Sequence, residues 1–219
     1  MKRILCYGDS NTWGYDPVAT GADGAAPARF PEEIRWTGVL QRLLGPEYRV
    51  LEEGLNGRTT VFDDPAAYGR SGDQFLEVAI RSGSPFDCII LMLGTNDLKD
   101  FFGASAQMIT YGMAKLIRTC RAVLPYTSSA QAKIIVAAPL NVCADANGEY
   151  QYDFSPLSAQ KGQELRQTYR GLAEQMGCAF FDVNDYVQAC AADGVHLDAE
   201  GHRKLGETLA EYLRELLKK

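Results

Sequence analysis

The sequence holds only two histidines in 219 residues, and no run of five or more like charges. No stretch approaches the ~20 consecutive apolar residues of a membrane-spanning helix, so no membrane association is expected. Net charge is −6, with 22 Lys and Arg against 28 Asp and Glu. General nucleic-acid binding calls for clustered cations, so this balance argues against it. After Met1-Lys2-Arg3 the apolar run lasts only to Tyr7 before Gly8-Asp9 interrupts it. That is too short for a secretory leader, and a cytoplasmic location is expected. The cysteines Cys6, Cys88, Cys120, Cys143, Cys178 and Cys190 lie far apart with no C-x-x-C pair. Several fall within apolar patterns, which favours reduced core thiols over disulfides or a metal site. Low-complexity tracts and internal repeats are absent, as are GxSxG elbows and GxxxxGK[ST] phosphate loops.

What is present is ordinary for a globular chain, at 46% hydrophobic and 23% charged residues. The length suits one domain over residues 1–219 with a substantial core. Five apolar runs read as strands: Ile4–Tyr7, Tyr48–Leu51, Cys88–Leu93, Ile134–Ala138 and Ala179–Val183. Ile89-Ile90-Leu91-Met92-Leu93 has no polar alternation, as expected of a strand covered on both faces.

Helical stripes lie between and after the strands. They are Trp36, Val39, Leu40 and Leu43; Phe75, Val78 and Ala79; Ile109, Met113, Leu116, Ile117 and Cys120; Leu165, Tyr169, Leu172 and Met176. The last is Leu205, Leu209, Tyr212, Leu213 and Leu216. Each is read as core packing. The alternation predicts an α/β fold, a five-stranded parallel sheet of flavodoxin-like order 2-1-3-4-5 with helices on both faces. Two segments fit neither element. Residues 16–31 are a long Gly/Ala/Pro-rich loop expected near the site, as a lid, a substrate wall or an oligomer contact. Residues 141–156 are a second loop, carrying Tyr150, Tyr152 and Phe154 at alternate positions.

Ligands of such sheets bind beyond the carboxyl ends of the strands. Tyr7-Gly8-Asp9-Ser10-Asn11-Thr12-Trp13-Gly14 follows the first strand and turns sharply, which would hold the Ser10 hydroxyl out of the sheet as a nucleophile requires. After the second strand comes Asn56-Gly57-Arg58-Thr59-Thr60, and after the third comes Gly94-Thr95-Asn96-Asp97. After the fifth comes Asp193-Gly194-Val195-His196. Acyl transfer through serine needs a base, a group to orient it, and oxyanion donors. His196 is the candidate base and Asp193, three residues earlier, can turn back to its ring. The Asn96 amide and the Gly57 and Ser10 N–H groups are candidate oxyanion donors. Trp13 and Tyr15, just after the nucleophile, and Asn56 are candidate substrate contacts, although aromatics there also serve simply to pack a loop. His202, expected on the last helix, is read as solvated or capping.

Gly8-Asp9-Ser10, Gly57, Gly94-Thr95-Asn96-Asp97 and Asp193-x-x-His196, in this order over nearly the whole chain, resemble the four blocks of the SGNH (GDSL-like) hydrolases. The resemblance implies a three-layer α/β/α sandwich. It makes Ser10, Asp193 and His196 the catalytic triad, with Ser10, Gly57 and Asn96 as the oxyanion hole. Arg35-Trp36-Thr37-Gly38-Val39-Leu40, Glu52-Glu53-Gly54-Leu55 and Arg58-Thr59-Thr60 are similar to a bacterial arylesterase subgroup. That likeness implies cleavage of short acyl esters, acyl transfer to alcohols or peroxide in some members, and a homo-oligomer. Asn11 departs from the apolar residue or Ser of many members. The implied partner is a small ester, and neither cofactor nor metal is called for. Rival readings are a carbohydrate acetylesterase, lysophospholipase or thioesterase of the same family, a flavodoxin-like binding module, a phosphotransferase using Asp9, and a non-catalytic module. The first of these keeps the same site. The flavodoxin-like module leaves Asn96 and the Asp193/His196 pair without a role, the phosphotransferase would have Asn11 where a second aspartate is wanted, and a non-catalytic module would keep Ser10, Asp193 and His196 for nothing.

Overall fold

The computed structural model of the chain describes residues 1–19 and 26–218. Strands β1 (Lys2–Gly8), β2 (Tyr48–Gly54), β3 (Cys88–Met92), β4 (Lys133–Ala138) and β5 (Ala179–Asp182) are all parallel. They form one sheet in the order β2-β1-β3-β4-β5, as the alternation predicts. Helices α1 (Ser10–Trp13), α2 (Trp36–Leu44), α3 (Gly72–Gly83), α4 (Ala106–Val123), α5 (Pro156–Gln175) and α6 (Ala199–Leu217) connect or flank the strands.

The three layers follow from the period of two along each strand. Leu5, Tyr7, Ile89, Leu91, Ile134 and Val136 point to one face and pack with apolar residues of α3, α4 and α5. Ile4, Cys6, Cys88, Ile90, Met92, Ile135 and Ala137 point to the other, against α2 and α6. Every residue of β3 is buried, which explains its unbroken apolar run. The α4 stripe from Ile109 to Cys120 is wholly buried as expected, and so are Leu165 and Tyr169 of α5.

Three expectations need correction. In α3 the buried stripe is Gly72, Leu76 and Ile80, whereas Phe75 and Val78 are 39% and 61% exposed. The entry to the helix sets its phase: the Gly72 N–H donates to the Thr59 carbonyl at 3.1 Å, holding that face inward. His202 lies on α6 but is fully buried rather than solvated. Its Nδ1 accepts the Trp36 N–H at 3.3 Å, so it caps the first turn of α2, an orphan donor of another helix. Cys6, Cys88 and Cys120 are buried, but Cys143 is exposed and Cys178 and Cys190 are half-buried; all six are free.

In the first long loop, residues 20–25 lie outside the described residues. The flanks fold back on the turn after β1: Tyr15 pairs with Arg29, and the Phe30 N–H donates to the Gly14 carbonyl at 2.8 Å. The second loop lies along the segment after β5, with the Cys143 N–H donating to the Gly194 carbonyl at 2.8 Å. Among the described residues no helix is long and apolar enough to cross a membrane.

Candidate active site

β1 ends at Gly8, and the chain enters the one-turn helix α1 with Asp9 as its cap. The Asp9 side chain accepts the Asn11 N–H at 2.9 Å. Burial raises the Asp9 carboxyl, and it does not line the cavity described below, which leaves a nucleophilic aspartate without access. Ser10, the first residue of α1, faces out of the sheet end. Its Oγ lies 2.9 Å from His196 Nε2, and His196 Nδ1 lies 2.6 Å from Asp193 Oδ2. The carboxylate partner assigns the proton to Nδ1, so Nε2 is free to accept the serine hydroxyl.

The Asp193–His196 loop is built locally. Asp193 Oδ1 accepts the N–H groups of Val195 and His196 at 2.9 and 3.0 Å. Gly194 has φ +70°, and a Cβ there would fall 2.0 Å from the Cys143 carbonyl oxygen, so only glycine fits. Burial on its own would raise the Asp193 carboxyl. The hydrogen bond and charge of His196, with the two backbone donors, outweigh it and hold the group below the ordinary aspartate value.

This loop is tied to the Ser10 turn by Asn11. Its Oδ1 accepts the Leu197 N–H at 2.9 Å and its Nδ2 donates to the Val195 carbonyl at 3.3 Å. The residue that departs from the family pattern therefore points into the protein, away from substrate. Tyr15 stacks on the His196 ring with centroids 4.0 Å apart and planes at 23°. Tyr152 meets the same ring edge-on at 5.6 Å, and the two phenols lie 3.1 Å apart. Tyr152 and Asp153 have φ of 55° and 64°, a left-handed conformation uncommon outside glycine, which turns the tyrosine onto the histidine.

The candidate oxyanion donors line the same cavity. Gly57 has φ +77°. Asn96 Nδ2 donates to the Arg58 carbonyl at 3.1 Å, which uses one of its two N–H groups and leaves the other for a ligand. Arg58 in turn donates to the carbonyls of Gly8 (2.9 Å) and Glu53 and lies over the Tyr7 ring at 4.1 Å. It thus locks the ends of β1 and β2 together beneath the site. Asp97, fully buried, accepts the Thr60 N–H and hydroxyl, and burial pushes its carboxyl up to about 6.

Ser10, Gly57, Asn96 and His196 line one cavity of about 130 Å³. Tyr15, Asn56, Lys99, Tyr152, Phe154 and Val195 complete its wall. Trp13 is not part of it; the Arg29 guanidinium covers its ring at 4.8 Å. A larger hollow of about 530 Å³ opens elsewhere, near Leu124, Lys133 and Cys178, and contains none of these groups. Tyr152 and Lys99 were not legible as site residues. The only sequence signal was the aromatic alternation Tyr150, Tyr152, Phe154.

A family model described as GDSL-like Lipase/Acylhydrolase matches residues 6–204. The chain belongs to that family, the SGNH hydrolases. Among solved structures, it is similar to the native M. smegmatis aryl esterase, with 37% identity, TM-score 0.91, and 99% and 100% of the two chains covered. It is also similar to a carbohydrate acetylesterase from Sinorhizobium meliloti, with 34% identity, TM-score 0.90 and the same coverage. No curated protein sequence matches. As an SGNH hydrolase the chain is an ester hydrolase with a parallel α/β/α sandwich.

Proposed function

We propose that this SGNH hydrolase is a serine esterase for short acyl esters, working through an acyl-enzyme. The observation that carries the reading is the continuous chain from Asp193 Oδ2 through His196 to Ser10 Oγ, at 2.6 and 2.9 Å, opening on a cavity of about 130 Å³. That volume suits an acetyl or similarly small group against the wall.

The Ser10 hydroxyl passes its proton to His196 Nε2 as Oγ bonds to the ester carbonyl carbon. The carbonyl oxygen becomes an oxyanion within reach of the Ser10 and Gly57 N–H groups and the free Asn96 N–H. Asp193 holds the tautomer and the imidazolium. When the tetrahedral species collapses, the C–O bond to the alcohol breaks and His196 returns the proton to the leaving oxygen. Water, activated by the same histidine, then releases the acid and restores Ser10. An alcohol or peroxide that enters in place of water takes the acyl group instead.

An aryl acetate and an acetylated sugar both suit this chemistry, and relatives with each description are found. The aromatic wall of Tyr15, Tyr152 and Phe154 favours a flat leaving group. The test is a p-nitrophenyl ester series, acetate to octanoate, on wild type and Ser10→Ala. Turnover confined to short chains and abolished by the substitution is expected. Turnover that survives Ser10→Ala would overturn the reading.

A further inference from the structure

Two cations near the cavity have no partner in the chemistry just described. Lys99 lines the cavity with Ser10, Asn96 and His196. Among the described residues its ammonium makes no ion pair or hydrogen bond. It lies over the rings of Phe101 and Phe154, at 5.9 and 6.0 Å from their centroids. Arg70 stands beside the oxyanion glycine, its Cδ and Nε 3.4 Å from where a Gly57 Cβ would be. Thr59 fixes it there, donating its N–H to the Arg70 carbonyl at 3.0 Å. Its guanidinium likewise has no ion pair among the described residues, although Glu52, Asp73 and Asp182 all hold cations elsewhere.

Both side chains are half out of water. Burial draws the Lys99 ammonium below its ordinary value; the charges of Asp64, Asp153 and Asp9 oppose that drop, and Arg70 adds to it. Half-exposed and lying over two aromatic rings, the Lys99 ammonium keeps its charge at the cavity wall with no carboxylate in direct contact among the described residues. The oxyanion does not require either one, since the Ser10, Gly57 and Asn96 donors serve it. A neutral ester would leave both charges unused, in a protein whose net charge is −6.

We infer that Lys99 and Arg70 select esters that carry a carboxylate beside the scissile bond. The inference rests on the esterase reading and names its substrate class. Lys99 supplies a point charge and Arg70 a planar fork that suits a carboxylate. The carboxylate can belong to the acyl half, as in a dicarboxylate half-ester, or to the alcohol half, as in an acetylated hydroxy acid.

Two matched pairs separate these sources. Mono-4-nitrophenyl glutarate against 4-nitrophenyl butyrate places the anion on the acyl side. 4-Acetoxybenzoate against phenyl acetate places it on the leaving group. For one pair, the ratio of kcat/KM, anionic over neutral, is expected to favour the anion by about tenfold to a hundredfold, the worth of a charge-assisted contact. Lys99→Met should bring that ratio near unity, chiefly through KM, and Lys99→Arg should retain it. Arg70→Met should lower it, and 0.5 M KCl, roughly a twofold drop in screening length from physiological salt, should weaken it. No preference in either pair overturns the inference, and so does a preference that survives both Lys99→Met and Arg70→Met. Neutral-ester turnover that persists in Ser10→Ala overturns the esterase reading and this inference with it. Serine-dependent turnover without anion preference overturns the inference alone.

Discussion

Asn11 and Leu197 are 186 residues apart, yet the Asn11 carboxamide oxygen accepts the Leu197 N–H at 2.9 Å. With the bond from Asn11 Nδ2 to the Val195 carbonyl, one side chain fastens the segment bearing His196 to the helix bearing Ser10. The same helix and segment carry the 2.9 Å contact between Ser10 and His196.

Asn11→Leu keeps the number and branching of side-chain heavy atoms and removes both bonds, leaving two buried backbone groups without those partners. A loss of about 1–3 kcal/mol in unfolding free energy is expected. A fall in kcat of about tenfold to a hundredfold should accompany it, because a small displacement of the base is costly. Denaturant unfolding and ester kinetics on the same preparation check both, and a kcat within twofold of wild type would remove Asn11 from any positioning role.

Asp193→Asn keeps the shape of the loop but favours the wrong histidine tautomer. kcat should drop by about 10⁴ while the fold persists. The Asp193 carboxyl is held low in the native state, so its contribution to stability is present above the unfolded value of about 3.9 and is lost as pH falls through the native one. Acid unfolding of Asp193→Asn should therefore lack that component below about pH 4.

His202 gives a second pH signature. Burial first, then the His196 and Arg35 charges, brings its imidazole down to about 3. The unfolded chain takes up a proton near 6.5 that the native state refuses, so stability falls as pH drops below that point. The cost reaches about 2 kcal/mol at pH 5. Asp97, pushed up to about 6, works in the opposite sense, favouring the native state as pH falls towards 4. His202→Gln, which can still accept the Trp36 N–H, should flatten the loss between pH 6.5 and 5 relative to wild type. Parallel unfolding curves for the two proteins across that range would contradict this assignment.

The stacked Tyr15 and the edge-on Tyr152 should contribute unequally. Tyr15→Leu removes the 4.0 Å stack on His196 and is expected to lower kcat about tenfold. Tyr152→Phe removes only the bond between phenols and keeps the ring contact, and kcat should stay within about threefold. Comparable losses in the two variants would mean that the phenol pair, rather than the stack, orients the base.

Sequence periodicity determined much of this protein. The apolar run of β3 announced a strand covered on both faces, and strand-helix alternation set the sheet order. The Asp193-x-x-His196 pairing was also legible, because a three-residue turn closes within one loop. The glycines that permit it carry their own signal. What lay beyond local pattern was decided only by packing. Phe75 and Val78 form a plausible stripe, but the Gly72 contact with Thr59 rotates α3 so that Leu76 and Ile80 are buried instead. His202 looks like any histidine on an amphipathic helix until α2 arrives to donate Trp36 N–H to it. Tyr152 reaches His196 through two left-handed residues that no propensity would place there. Lys99 and Arg70 became candidates once the third strand and the loop after the second met at one sheet end. Local spacing specifies what a few residues can do to one another, whereas a site shared by four strand ends exists only after the sheet has brought them together.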